Sequence, residues 1–118
     1  MKDISILTDN GVDINAALEL LGDLSFYDET LEAFLQENET RVPNIEKYKN
    51  ERNMEDYAIL VHALKSDSKY LGFMELADIA YQHEMASKAN NVDVVYSKYV
   101  ELVEKINKYT ELAKKYLG

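Results

Sequence analysis

The stretch VHALKSDSKYLG (Val61–Gly72) indicates a helical fold and the side of the helix on which His62 lies. It lacks the apolar/polar alternation of a half-buried strand, and most of its residues favour helices. At about 100° per residue, Leu64 and Leu71 fall roughly 160–200° from His62 around the helix axis, and Leu60 joins them. The leucines are therefore predicted to face a core, and His62 to face water.

Helical spacing continues along the rest of the chain. One proline and four glycines in 118 residues favour long elements with few breaks. The predicted helices cover about 12–22, 26–53, 54–71, 74–90 and 94–117. Pro43 predicts a kink or break near Val42, because proline lacks a backbone donor. We expect an all-α fold in one domain over residues 1–118: an antiparallel up-down-up-down four-helix bundle with a short extra N-terminal helix.

Composition excludes several classes of function. The chain has no cysteine and only two histidines, so neither a disulfide nor a metal site is expected. A net charge of -9 disfavours binding to nucleic acid and to anionic lipid surfaces. No apolar run reaches the roughly 18 residues of a membrane span, and the N-terminus does not resemble a secretory signal. A cytoplasmic monomer without a cofactor is the expectation.

The predicted exposed face around His62 concentrates positive charge in an acidic protein. It combines two ammonium groups, a hydroxyl and small or apolar residues: Lys65, Lys69, Ser66, Ala58 and Ile59. Neutral imidazole is a nucleophile near neutral pH, since its ordinary pKa is about 6.5. Attack on phosphorus needs an exposed nitrogen and cations that balance the oxygen charge. The pattern predicts a phosphoryl acceptor, and no glycine-rich loop for ATP accompanies it.

The same residues resemble a known family. The pattern His-x-Leu-Lys-x-x-Ser-x-x-x-Gly, formed by His62, Leu64, Lys65, Ser68 and Gly72, is similar to the signature of histidine phosphotransfer (HPt) domains. The resemblance implies a helical bundle whose exposed histidine shuttles phosphate between aspartates of response-regulator receiver domains. Segments on both sides, VDINAALELLG and GFMELADIAYQHE, are also similar to the family.

The resemblance assigns roles residue by residue. His62 matches the phosphorylated histidine, and Lys65 matches the lysine that neutralises phosphoryl oxygens. Ser66 stands where glycine is commonest, and we expect it to contact the phosphoryl group. Ser68 is expected to serve packing. A receiver domain is expected to dock on the third and fourth helices at Glu55, Ala58, Ile59, Lys69, Gly72 and Phe73.

Several points stay open at this level. The sequence does not explain why Asp67 lies close to the buried side of its helix. It also leaves undecided whether Gln82, His83 or Glu84 faces His62. His83 is expected to be an exposed helix residue. The implied partners are a receiver domain and a sensor or hybrid histidine kinase, and the chain would be a carrier without its own turnover. Two alternatives are an interaction module with an incidental His62 and a phosphoacceptor domain from a larger histidine kinase.

Overall fold

The computed structural model describes residues 2–118, and every regular element in that range is helical. The six helices are α1 Ser5–Thr8, α2 Ile14–Leu21, α3 Leu24–Asn50, α4 Met54–Tyr70, α5 Met74–Lys88 and α6 Val92–Leu117. The all-α prediction is confirmed, with one further short helix, α1, that the sequence pattern did not indicate.

Short polar side chains define where four of the helices begin. Each accepts a hydrogen bond from the backbone N–H three residues later, the usual N-cap arrangement. The capping residues are Asp13 for α2, Asp23 for α3, Asn53 for α4 and Asn91 for α6. The caps separate long helices with connections of only a few residues, which favours antiparallel neighbours.

Helices α3 to α6 form the four-helix bundle. α3 packs against α4 and α6, and α5 packs against α4 and α6. α2 contacts α3 and α4, while α1 contacts α6. The largest fully buried side chains include Tyr27, Tyr57, Tyr109, Phe73, Leu31 and Leu64. No helix in residues 2–118 has both the length and the apolar composition to cross a membrane.

The prediction at Pro43 was a kink or a break. α3 continues through Pro43 without interruption, so a break does not occur, and a kink stays a prediction. Pro43 and Glu39, whose carbonyl loses its usual donor, are both exposed, and water can satisfy that carbonyl. Phe34 and Ile45, on either side of the proline, are 2 % and 1 % exposed. Packing on both sides of Pro43 therefore outweighs the local cost of the proline.

Asp67 joins α4 to α3, a role that the sequence did not indicate. Its Oδ2 lies 2.8 Å from Nη1 of Arg41, a side chain that is only 7 % exposed. Arg41 Nε donates to Asn38 Oδ1 at 2.8 Å. Asp67 therefore pairs a nearly buried arginine, and its role is in holding the two helices together.

Candidate functional site

His62 lies in the middle of α4 with its side chain 55 % exposed. On the opposite side of the helix, Leu64 and Leu71 are fully buried, and Leu60 is half-buried. The predicted orientation of this helix is therefore confirmed. The imidazole is accessible to a partner and is held by a rigid element.

The residue of α5 that faces His62 is Glu84. Its Oε2 lies 2.7 Å from Nδ1 of His62. An ionised carboxylate only accepts hydrogen bonds, so Nδ1 carries the proton and donates it. In the neutral ring the lone pair is therefore on Nε2, and no hydrogen bond within residues 2–118 occupies that nitrogen. The contact thus selects the tautomer whose free nitrogen is a nucleophile.

Glu84 is a nearly buried carboxylate surrounded by cations, with its side chain 3 % exposed. Lys65 Nζ lies 2.8 Å from Oε1, and Lys88 Nζ lies 2.7 Å from Oε2. Burial alone would raise the pKa of Glu84, but Lys65, Lys88 and His62 together outweigh burial and lower that pKa to about 2. Glu84 is therefore ionised at neutral pH, and its hydrogen bond with His62 is charge-assisted.

Lys65 and Ser66 lie close to His62 in sequence but differ in what they contact. The Lys65 side chain is 16 % exposed, and its ammonium lies 5.3 Å from the centre of the Tyr81 ring as well as on Glu84. Ser66 is half-buried, and no hydrogen bond in the described residues joins it to His62. The structure therefore places Lys65 on Glu84 rather than in open solvent.

An open groove of about 710 Å³ runs beside His62, between the start of α4 and the end of α5. It is lined by Met54, Glu55, Ala58, Ile59, His62, Ser87, Lys88 and Asn90. Ile59 is 62 % exposed, a large apolar side chain left facing water. Three of the predicted docking residues, Glu55, Ala58 and Ile59, therefore border one groove with His62. Ala58 is only 6 % exposed, however, so its predicted place on the exposed face is wrong.

The other three predicted docking residues lie elsewhere. Lys69 is exposed and borders a smaller groove with Tyr81. Phe73 is fully buried, stacked on Tyr109 with ring centres 4.6 Å apart, so its predicted exposure is wrong. The α4–α5 turn directs Phe73 inward to bury its apolar ring.

Gly72 is also buried, which does not fit its predicted place in a docking surface. Its carbonyl accepts a hydrogen bond from the backbone N–H of Asp13 at 2.9 Å. A Cβ at Gly72 would lie 2.4 Å from the Asp13 carbonyl oxygen. A side chain at position 72 would collide with the start of α2 in the same chain, which explains the glycine.

His83 is 1 % exposed, so the expectation of an exposed histidine is wrong. Nδ1 lies 2.7 Å from the Tyr57 hydroxyl, and Nε2 lies 3.0 Å from the Lys98 carbonyl. The carbonyl can only accept, so Nε2–H donates to it and the hydroxyl donates to Nδ1. His83 is therefore a neutral core residue that joins α4, α5 and α6.

The burial of His83 predicts a pH dependence of stability. Burial holds the pKa of His83 below its ordinary value. The unfolded chain takes up a proton near pH 6.5, and His83 in the folded chain does so only at a lower pH, so stability falls as the pH drops below about 6.5. We expect His83 to contribute a loss of up to about 1.4 kcal/mol between pH 7.5 and 5.5. Urea unfolding at several pH values measures it.

The variant His83→Gln separates this effect from other titrations. It removes the histidine, so the stability of the variant should change less with pH over the same range. His62→Gln is the matched control, because it removes the exposed histidine and leaves His83 in place. An equal pH dependence in wild type and His83→Gln would contradict the assignment.

The helical bundle thus presents one imidazole nitrogen to solvent with ammonium groups beside it, an arrangement that is compatible with nucleophilic attack on phosphorus. Residues 29–109 match the family model of the Hpt domain. The chain therefore belongs to the Hpt domain family, whose members are phosphotransfer carriers. No curated protein and no solved structure matches the chain. The matched range includes His62 and Glu84 and runs from the first turns of α3 into α6.

Proposed function

We propose that this protein carries a phosphoryl group on His62, which it accepts from and donates to aspartates of response-regulator receiver domains in a two-component phosphorelay. The observation that carries the proposal is the 2.7 Å contact between His62 Nδ1 and the ionised Glu84. It leaves the exposed Nε2 with a lone pair that can attack phosphorus. Membership of the Hpt domain family supports the same chemistry.

The accepting step is a transfer between a carboxylate oxygen and a nitrogen. The lone pair of His62 Nε2 attacks the phosphorus of an aspartyl phosphate, and the N–P bond forms as the P–O bond to aspartate breaks. The aspartate leaves as a carboxylate. Nδ1 keeps its proton, so the ring becomes positive, and the adjacent Glu84 carboxylate stabilises that charge. Donation is the reverse: the N–P bond breaks as the aspartate oxygen bonds to phosphorus, its electron pair returns to Nε2, and the ring leaves as neutral imidazole.

The groove beside His62 is the proposed docking site for the receiver domain. Its lining is mostly apolar, and both the exposed Ile59 and the reacting imidazole of His62 line it. A partner that covers Ile59 and Ala58 would bring its aspartate to Nε2 and exclude water. The acidic groups and metal ion of the reaction would belong to the receiver.

In this proposal the protein is a carrier without independent turnover. A sensor or hybrid histidine kinase would supply phosphate to the relay, and the relay would operate in the cytoplasm. The protein would act as a monomer, because docking needs only one copy of the α4–α5 face.

A transfer assay tests the function. The purified protein is incubated with a phosphorylated receiver domain and Mg²⁺, and phosphate that is acid-labile and base-stable is sought at His62. Its appearance would support the carrier role. A folded protein that takes no phosphate from a panel of receivers would contradict that role and favour an interaction module.

Glu84→Gln should slow phosphate uptake without removing the acceptor. Glutamine keeps the shape and can still accept from Nδ1, but it lacks the charge that stabilises the positive ring. We expect a rate about tenfold lower, equivalent to about 1.4 kcal/mol of transition-state stabilisation. Initial rates of transfer from one phosphorylated receiver measure the change.

The matched control is Glu75→Gln. Glu75 lies on the same helix and also binds two lysines, with Lys105 and Lys108 at 2.9 and 2.7 Å. It contacts α6 rather than His62, so its replacement should leave the transfer rate unchanged. Equal rates in Glu84→Gln and wild type would rule out an electrostatic role for Glu84.

A further inference from the structure

Two residues in the core join α4, α5 and α6 next to Glu84. The Tyr57 hydroxyl donates to Nδ1 of His83 at 2.7 Å, and the two side chains are 0 % and 1 % exposed. Nε2–H of His83 donates to the Lys98 carbonyl at 3.0 Å. The His83 ring is therefore held from α4 at one nitrogen and from α6 at the other.

The His83 ring and the Glu84 carboxylate move together, because the two residues are consecutive in α5. A rotation or shift of α5 that displaced the ring would also displace the carboxylate. Nδ1 of His62 lies 2.7 Å from Oε2 of Glu84, and a hydrogen bond is lost once such a distance exceeds roughly 3.5 Å. A movement of α5 by about 1 Å is therefore enough to break the contact that selects the tautomer.

The ion pairs of Glu84 do not fix where α5 lies. Lys88 is itself on α5 and moves with Glu84, and Lys65 reaches the carboxylate through a flexible four-carbon stem. Tyr57 and His83 are rings inside a close-packed core, where a small displacement is resisted. The pair of rings, rather than the lysines, is suited to set the distance between α4 and α5.

The hydrogen bond between Tyr57 and His83 is the only one that either the hydroxyl or Nδ1 makes within residues 2–118. A buried acceptor without a donor is unfavourable. Loss of the hydroxyl would therefore favour a new position of α5 in which Nδ1 meets water or another donor. Glu84 would move with the helix.

We propose, on the basis of the function above, that Tyr57 and His83 are positioning residues for phosphate transfer. Their hydrogen bond holds α5 where the Glu84 carboxylate reaches Nδ1 of His62. It thereby keeps the proton on Nδ1 and the lone pair on the exposed Nε2. Neither residue touches the phosphoryl group, and no covalent bond changes at either of them.

The variant Tyr57→Phe tests the proposal, because it removes the hydroxyl and keeps the ring. Nitrogen NMR of the neutral imidazole reports which ring nitrogen carries the proton. We expect His62 to change from one tautomer, with the proton on Nδ1, to a mixture of both. The initial rate of transfer from one phosphorylated receiver should fall about three- to fivefold, within the roughly tenfold loss expected for Glu84→Gln.

Tyr109→Phe is the matched control. Tyr109 is also fully buried, and its hydroxyl donates to Glu75 at 2.8 Å, in the first turn of α5 and away from His62. This variant should keep the wild-type tautomer and transfer rate. Thermal unfolding checks the fold of each variant. If Tyr57→Phe does not fold, His83→Leu replaces it, since it removes the same hydrogen bond from the other side and should give the same two changes.

A double variant separates positioning from general destabilisation. If Tyr57 acts through Glu84, adding Tyr57→Phe to Glu84→Gln should lower the transfer rate no further. A loss of stability that slows transfer in another way would lower the rate by the same factor in both backgrounds. Such an additive result would overturn the positioning role.

The outcomes separate this proposal from the function on which it rests. A folded Tyr57→Phe protein with an unchanged His62 tautomer or an unchanged transfer rate would overturn the role of the pair and leave His62 as the carrier. A wild-type protein that accepts no phosphate from receivers would overturn both.

Discussion

Replacing His62 by glutamine is expected to abolish phosphate uptake while the bundle stays folded. The amide nitrogen of glutamine has no lone pair available for attack on phosphorus, but it can still donate to Glu84. The His62 side chain is 55 % exposed and adds little to the core, so stability should change by less than about 1 kcal/mol. Intact mass and phosphate label after incubation with a phosphorylated receiver measure the loss.

His83→Gln is the control for this result. His83 is the only other histidine, and it is 1 % exposed with both ring nitrogens engaged. The variant should be less stable, yet it should still take up phosphate at His62 wherever it is folded. Label that persists on a folded His62→Gln protein would sink the assignment of the acceptor.

Gly72→Ala is expected to destabilise the fold by about 2–4 kcal/mol. Gly72 has a φ of +79°, a conformation that side chains disfavour. An added Cβ would lie 2.4 Å from the carbonyl oxygen and 2.8 Å from the carbonyl carbon of Asp13. The start of α2 would have to move away, and the hydrogen bond from Asp13 N–H to the Gly72 carbonyl would be strained or lost. Urea or thermal unfolding measures the change.

Gly22→Ala provides a matched comparison. Gly22 also has a positive φ, +94°, but a Cβ there would meet nothing within 4 Å. This variant should show only the conformational cost, about 1–2 kcal/mol. The excess loss in Gly72→Ala measures the steric conflict with Asp13. Equal losses in the two variants would show that contact with α2 is not what requires glycine at position 72.

The orientation of α4 could be predicted because periodicity within one helix is a local property. Leu64 and Leu71 mark the buried side, and His62 follows on the opposite side by geometry alone. The partner of His62 could not be predicted the same way. Its identity depends on how α5 is rotated against α4, and that rotation is set by packing of the whole bundle.

The errors have a common physical cause, since each applied a local rule that packing overrides. Pro43 was expected to kink or break α3. The segments on both sides of the proline are buried, however, and the helix is continuous. Phe73 was expected at the surface as a docking residue, but burial of its ring decides its place. His83 follows Ile79 by four residues, on the same buried stripe, so helical spacing carried a signal for its burial. Its polarity concealed that signal.

The exposure of His62 has a consequence for the direction of signalling in the proposed relay. With its imidazole 55 % exposed beside an open groove, His62 is not covered by any element of residues 2–118 that could admit one partner and exclude another in turn. Uptake and release would use the same nitrogen and the same surface. Net flow would then follow the relative abundance and phosphorylation of the receivers that compete for it. The carrier would exchange phosphate reversibly between the receiver domains. Which receiver donates and which accepts would then be decided by the receivers and not by the carrier.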